Sequence, residues 1–315
     1  MKESQNLNNL AKKILVTLPV NKIEEYLLNE CAYSLSSQTL PVDLLVLYKD
    51  LKQEDLEILK SILDKPTISV PEKNETGETI QKEISAENKL NYTLKETASD
   101  NFAKLFNEGF NYSLQNEYEF YSIVEYDDVI DFSWYSKVLM YAETLPEITG
   151  GFLPLTREIS NGAFLGFFNE AAWVENLTDV PGIYDLTLLT KYNCMNITGA
   201  VFKTNGLKEF ALETENNTYL KVMKENIKIN SIQEFFLRMV YKDLKFYNIP
   251  RIGYEHRIDR PTKYIDYFSS KIPRDLIVRD KEFGGISSAE YTFWTQKAKS
   301  EYYHPKEREL KFVEA

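Results

Sequence analysis

The chain reads as an α/β protein with a mainly parallel sheet flanked by helices, and three observations predict it. Short apolar, β-branched runs alternate with stretches of helical period through the first half. The resulting order, β-α-β-α-β, is the one a parallel sheet with right-handed crossovers requires. A hydrophobic content of 43% over 315 residues is ample for a large core. Tyr (21) and Phe (18) are abundant, which suits that core and aromatic-lined clefts without naming a ligand.

Ile14 to Leu18 is a buried-strand run ended by Pro19. Ile23 to Ser36 repeats Ile23, Tyr26, Leu27, Cys31, Ser34 and Leu35 at a helical period. Pro41 breaks the chain before Leu44 to Tyr48, a second buried strand, and Leu51 to Leu63 is helical again. Thr67 to Val70 reads as a third short strand, closed by Pro71. Glu72 to Leu90 is charged and poor in large apolar residues, so a solvated loop or weak helix is expected there. Phe102, Leu105, Phe106, Phe110 and Leu114 restore a helix between Ala98 and Leu114, which feeds an apolar and aromatic strand, Tyr118 to Val124. A helix from Ser133 to Ala142 follows.

Beyond Tyr141 the pattern turns irregular, with Gly150-Gly151, Gly162, Gly166, Gly182 and Gly199, which suits loops packed over the sheet's ligand-binding edge. Asn196 to Thr204 is strand-like, and Ser231 to Phe246 is an amphipathic helix with Ile232, Phe235, Phe236, Met239, Val240 and Leu244 on one side. Ile252 to Arg257 reads as a last strand. A tail helix, Ser287 to Tyr302, is expected to dock on the body or on another subunit. Residues 1–265 are therefore read as one domain and 266–315 as a C-terminal extension.

The net charge of -11 argues against broad attraction to nucleic acid or to anionic membranes. No apolar stretch approaches the roughly 20 residues that span a bilayer, and Met1 to Asn9 lacks the apolar core of a secretion signal. Cys31 and Cys194 form no framework of pairs, so two buried thiols in a reducing, cytoplasmic compartment are expected. With only His256 and His304, a Cys/His zinc site is not expected. Hydrolase-elbow, phosphate-loop and dinucleotide glycine motifs are absent.

Glu125-Tyr126-Asp127-Asp128 carries most of the chemistry. Three carboxylates in four residues at the C-terminal end of a strand are costly to hold together unless water or a cation compensates them. In an α/β protein that is also where ligands sit. The alternative is a turn at Asp127 and Asp128, with Asp131 or Ser133 capping the next helix.

Together these pieces resemble the nucleotide-sugar glycosyltransferases of the GT-A fold, especially the family 2 type, over roughly residues 12 to 262. The resemblance rests on the strand ending in Pro19, on Glu30-Cys31-Ala32-Tyr33-Ser34-Leu35-Ser36-Ser37-Gln38, and on the acidic end of Leu44 to Asp50. It continues through Asn107-Glu108-Gly109, the acidic motif, Gly199 to Lys203, Glu234 to Arg238 and Pro250 to Arg257. Gly166 to Trp173 and Tyr254 to Arg260 further look like a bacteriophage-encoded branch, which would place the protein in a host cytoplasm or a virion.

The resemblance implies a Rossmann-like GT-A domain with a helical C-terminal tail, moving a sugar from a nucleoside-diphosphate sugar to a saccharide, protein or modified-base acceptor. Nucleic acid is expected as a partner only in that last form. It implies Mn2+ or Mg2+ on Asp127, Asp128 and His256, a Lewis acid for the leaving diphosphate. Pro19, Asn21, Asp50, Asn107, Asp127, Arg257 and Arg260 would face the nucleotide. Glu234 would be the acceptor-side base. Each has a plainer alternative. Glu234 reads equally as a solvated helix residue, His256 as a hydrogen-bonded core histidine, and Asn107 as a cap. Arg257 and Arg260 have Glu255 and Asp259 nearby as ion-pair partners.

The chain also departs from the family. Glu125 replaces an Asp, Phe106 stands where an Arg precedes the Asn-x-Gly, and the acid pair before the helix Arg falls on Ser231-Ile232. Glu234 is slipped by about half a helical turn from that pair. An inactive GT-A scaffold, a binding protein or part of a viral particle or other homo-oligomeric assembly, is therefore the competing expectation.

Overall fold

The structure, a computed structural model, describes residues 14–74, 78–160, 163–173, 178–191, 196–212, 217–221 and 231–257. The expected tail helix, the 266–315 extension, Arg260 and Cys194 lie outside these residues.

A nine-stranded sheet forms the centre. Its first half is built from β1 (Ile14–Val20), α1 (Glu25–Ser36), β2 (Asp43–Tyr48) and α2 (Gln53–Asp64). A hairpin, β3 (Thr67–Lys73) and β4 (Thr79–Ser85), precedes β5 (Asn91–Glu96), α3 (Phe102–Gln115) and β6 (Phe120–Ile123). Then come β7 (Val129–Ile130), α4 (Trp134–Thr144), β8 (Gly151–Ser160), β9 (Ala163–Phe168) and α5 (Leu186–Lys191). Last are β10 (Val201–Lys203), α6 (Thr204–Leu207), α7 (Ser231–Tyr241) and β11 (Phe246–Arg257). The strand order is β5-β2-β1-β6-β10-β8-β11-β7, with β9 pairing β8.

The sheet is mainly parallel, as the alternating pattern predicts. β5, β2, β1 and β6 all run parallel, and the long β8 and β11 run parallel to each other. Antiparallel pairs enter through β10, β7 and β9. Both faces are covered, which is why β1 is a near-continuous apolar run. Ile14, Val16 and Leu18 pack on one face with Leu28, Leu35, Leu59 and Trp134, while Leu15 packs on the other with Phe106, Phe110 and Tyr121.

Several elements differ from the sequence expectation. Residues 67–70 do begin a strand, but it runs to Lys73 and leaves the main sheet to pair with β4. The expected loop from Glu72 to Leu90 holds that partner. Asn74 and Glu78 hydrogen-bond across the turn (backbone N···O 2.9 Å), and polar residues suffice for a ribbon exposed on most of its surface. The sheet position beside β2 goes to β5, where only Tyr92 and Leu94 alternate inward. β1 continues through Pro19 because β6 stops pairing at Ile123, opposite Thr17, so the strand has an unpaired side there.

The Gly-punctuated region after Tyr141, expected as loops, contains β8 and β9. Pro154 lies within β8, and the register of β8 with β11 shifts between Ile249 and Ile252, next to Pro250. Such a bulge is where a strand tolerates proline. The helix expected to reach Phe246 stops at Tyr241, since Asp243 takes a left-handed conformation (φ 65°) and β11 begins at Phe246.

Candidate functional site

β1 is followed in the sheet by β2 on one side and β6 on the other, so the strand order reverses there and opens a crevice at the carboxyl ends. An open cleft of about 720 Å³, counted out to solvent, fills that crevice. Pro19, Val20, Asn21 and Lys22 line it from the end of β1, and Leu47 and Lys49 from β2. Thr97, Ser99 and Asp100 line it after β5, and Glu125, Tyr126 and Asp127 after β6. Phe102 and Leu105 of α3 supply an apolar wall. Four strand ends and one helix therefore shape a mixed polar and apolar cleft.

At one border of the cleft, Glu125, Asp128 and His256 each offer a ligand atom, all within 4.8 Å of one another. Glu125 Oε2 lies 3.9 Å from His256 Nε2. Asp128 is fully buried and accepts hydrogen bonds from the Tyr254 hydroxyl (2.6 Å) and the Arg257 backbone N–H (2.9 Å). Burial, with Asp127 and Glu125 adding repulsion, holds its carboxyl well above the usual carboxylate range. Burial pushes His256 down to about 3, so its imidazole is neutral and has a nitrogen lone pair to give.

This donor set fits a divalent cation. Two ligands on opposite sides of such an ion stand about 4 to 5 Å apart, which the 4.8 Å spread matches. Two carboxylates with one imidazole could hold a divalent cation, which would offset the repulsion that raises Asp128.

The expected site residues separate into three groups. Pro19, Asn21 and Asp127 meet in the cleft. Asp128 and His256 meet in the acidic cluster, but Glu125 completes it where Asp127 was expected. The backbone explains this: the Asp128 N–H donates to the Glu125 carbonyl (3.2 Å), and that turn sends Asp127 to the cleft and Asp128 inward. The turn of the alternative reading is thus present, but its cap is not: Ser133 is the N-cap of α4 and makes no side-chain cap hydrogen bond, while the Asp131 carboxylate accepts from the Ser133 N–H (3.0 Å) just before the helix.

Other expected residues stand elsewhere. Asp50 is exposed beside Lys49 (3.8 Å), at φ 54°, and is not among the cleft-lining residues. Asn107 is buried and spends its amide on the backbone: Oδ1 accepts from the N–H groups of Tyr219 and Leu220 (both 2.9 Å), and Nδ2 donates to the Leu220 carbonyl (2.7 Å). The Arg257 guanidinium pairs with Glu30, and Glu255 with Arg157, rather than with each other, while Asp259 and Arg260 lie outside the described residues. Glu234 is only 2% exposed and not a solvated helix residue. Its carboxylate pairs with Arg238 and Lys221 (both 2.9 Å), away from the residues that line the cleft.

The sequence reading missed Lys49, Thr97, Ser99 and Asp100. Lys49 directly follows a recognised strand, but the others follow β5, whose two inward side chains gave too weak a signal. Cys31, beside the Glu125 carbonyl (3.5 Å), is buried, and burial with the charges of Asp128 and Asp127 pushes its thiol up, so it is not a nucleophile.

Neither a protein-family model nor a curated protein matches the chain. Among solved structures it is similar to S. aureus TarS, with 16% identity and a TM-score of 0.52 over 90% of this chain and 42% of that one. It is also similar to TarS 1-349 in complex with UDP-GlcNAc (16%, TM-score 0.53, 91% and 73% covered). The same fragment in complex with UDP gives 16%, 0.52, 91% and 72%. The chain thus spans less than half the length of the first of these. At such identities the likeness is one of architecture: this chain has a mixed α/β, Rossmann-like GT-A fold.

Proposed function

We propose that this protein is a nucleotide-sugar glycosyltransferase whose donor binds in the cleft at the ends of β1, β2, β5 and β6. The observation that carries the reading is the junction of that cleft with the Glu125, Asp128 and His256 cluster, Glu125 belonging to both. The fold supports it, since TarS structures of that fold were solved with UDP and UDP-GlcNAc.

In this reading Pro19, Asn21, Thr97, Ser99 and Asp100 receive the nucleoside, with Phe102 and Leu105 covering its apolar side. Lys22 and Lys49 offset diphosphate charge. Glu125, Asp128 and His256 hold Mn2+ or Mg2+, which supplies Lewis-acid stabilisation of the leaving diphosphate when bound. The neutral imidazole and the buried Asp128 keep that corner dry, which strengthens every charge interaction inside it. A saccharide, a protein or a modified base would be the acceptor.

A second reading, a GT-A module that binds nucleotide with little turnover, is favoured by one observation. Glu234, the acid implied as base, is committed to Arg238 and Lys221, and Ser231-Ile232 offer no carboxylate.

Titration calorimetry with UDP, with and without Mn2+, tests the binding, and UDP-GlcNAc hydrolysis tests turnover. Metal-dependent UDP binding that weakens about tenfold or more in Asp128→Ala is expected. No binding of any nucleoside diphosphate would remove both readings; binding without hydrolysis or transfer would select the second.

A further inference from the structure

Tyr254 joins the two ends of the acidic turn. Its side chain is fully buried, its hydroxyl accepts the Glu125 N–H at 3.0 Å, and it donates to Asp128 Oδ2 at 2.6 Å. A phenol has one proton. The amide N–H already takes a lone pair, so that proton goes to the carboxylate. Asp128 Oδ1 is meanwhile held by the Arg257 N–H, so both oxygens are oriented and each keeps a lone pair.

The fold places this hydroxyl with some care. Register shifts between Ile249 and Tyr254 bring Tyr254 opposite Thr156 of β8 and Ile130 of β7. Tyr254 and His256 are two apart on β11, so both point to the same face. Beneath the ring sits Gly199 at φ 74°, where an added Cβ would come within 2.5 Å of Tyr254 Cδ2. The Gly199 carbonyl is itself fixed by Trp134 Nε1 at 2.8 Å. Trp134, Gly199 and Tyr254 thus form a buried support for the acidic turn.

We propose that Tyr254 is a positioning residue for the cation site: through Asp128 and the Glu125 backbone it sets the angle at which two carboxylates meet His256. This rests on the cation reading above. Outer partners of this kind tune metal affinity about 10- to 100-fold without touching the metal.

The test is Mn2+ binding to the full chain with UDP present, followed by electron paramagnetic resonance, for wild type and Tyr254→Phe, with circular dichroism alongside to report folding. Tyr254→Phe is expected to bind Mn2+ about 10- to 100-fold more weakly and to change the bound-ion line shape, with its circular dichroism spectrum unchanged. Wild-type affinity and line shape in a folded Tyr254→Phe would overturn the proposal while sparing the cation site. Failure of wild type to bind Mn2+ with UDP present would overturn the cation reading and this proposal with it. Should Tyr254→Phe not fold, 4-aminophenylalanine at 254 keeps a donor of similar size. Retained Mn2+ binding in that variant supports the proposal, and its loss from the folded variant counts against it.

Discussion

Asn107 holds residues 219 and 220 against α3 with three hydrogen bonds, all buried. Asn107→Ala would leave two N–H groups and a carbonyl without that partner, and a loss of about 2 to 4 kcal/mol is expected from the cost of stranding buried polar groups. Urea denaturation measures it, and UDP affinity should stay within about twofold, a factor worth under 0.5 kcal/mol. Glu234 makes the parallel case. Glu234→Gln leaves Arg238, which also bonds the carbonyls of Phe210 and Tyr219, without its charge partner. Because Lys221 is half in solvent, about 2 to 3 kcal/mol is expected, below the full cost of a broken buried pair. If turnover exists, it should survive this change; its abolition in a stable variant would restore Glu234 as the base. At this scale the sequence named the right neighbourhood but could not assign jobs. Asn107, Glu234 and Arg257 look like ligand residues in one dimension, and their partners, Tyr219 with Leu220, Lys221 and Glu30, are supplied by folding.

α3 crosses β1 closely because of Gly109, whose added Cβ would meet Thr17 Oγ1 at 2.2 Å and Tyr121 Oη at 2.6 Å. Alanine is favoured over glycine in a helix by about 1 kcal/mol. Gly109→Ala should nevertheless destabilise by about 1 to 3 kcal/mol, since overpacking a filled contact outweighs propensity. Thermal unfolding decides the sign, and a more stable variant would mean that α3 does not sit so close. The Asn-x-Gly pattern was thus legible as a motif, but its glycine acts through packing. Strands buried on both faces, β1, β2 and β6, were legible because their apolar runs are continuous. The hairpin β3–β4 and the edge strand β5 were not, since exposed strands need few apolar residues. β8 was hidden by Pro154 within it and by Gly150-Gly151 at its start.

Over the whole chain, the order of elements fixed the fold class before any coordinate, because β-α-β crossovers leave few topologies. The cleft lies where the strand order reverses at β1, a spatial order that only folding supplies. Among the described residues no helix is long and apolar enough to cross a membrane. What the order of elements left open was which acids converge: a four-residue turn sends Asp127 to the cleft and turns Glu125 and Asp128 toward His256, 128 positions beyond Asp128. The most direct test of that convergence is a crystal structure of the full chain with UDP and Mn2+, read by anomalous scattering. One manganese peak is expected about 2.1 to 2.4 Å from Glu125, Asp128 and His256, with the nucleoside between Pro19, Asn21 and Phe102. A peak held by Asp127 without His256, or UDP lodged outside this cleft, would contradict it.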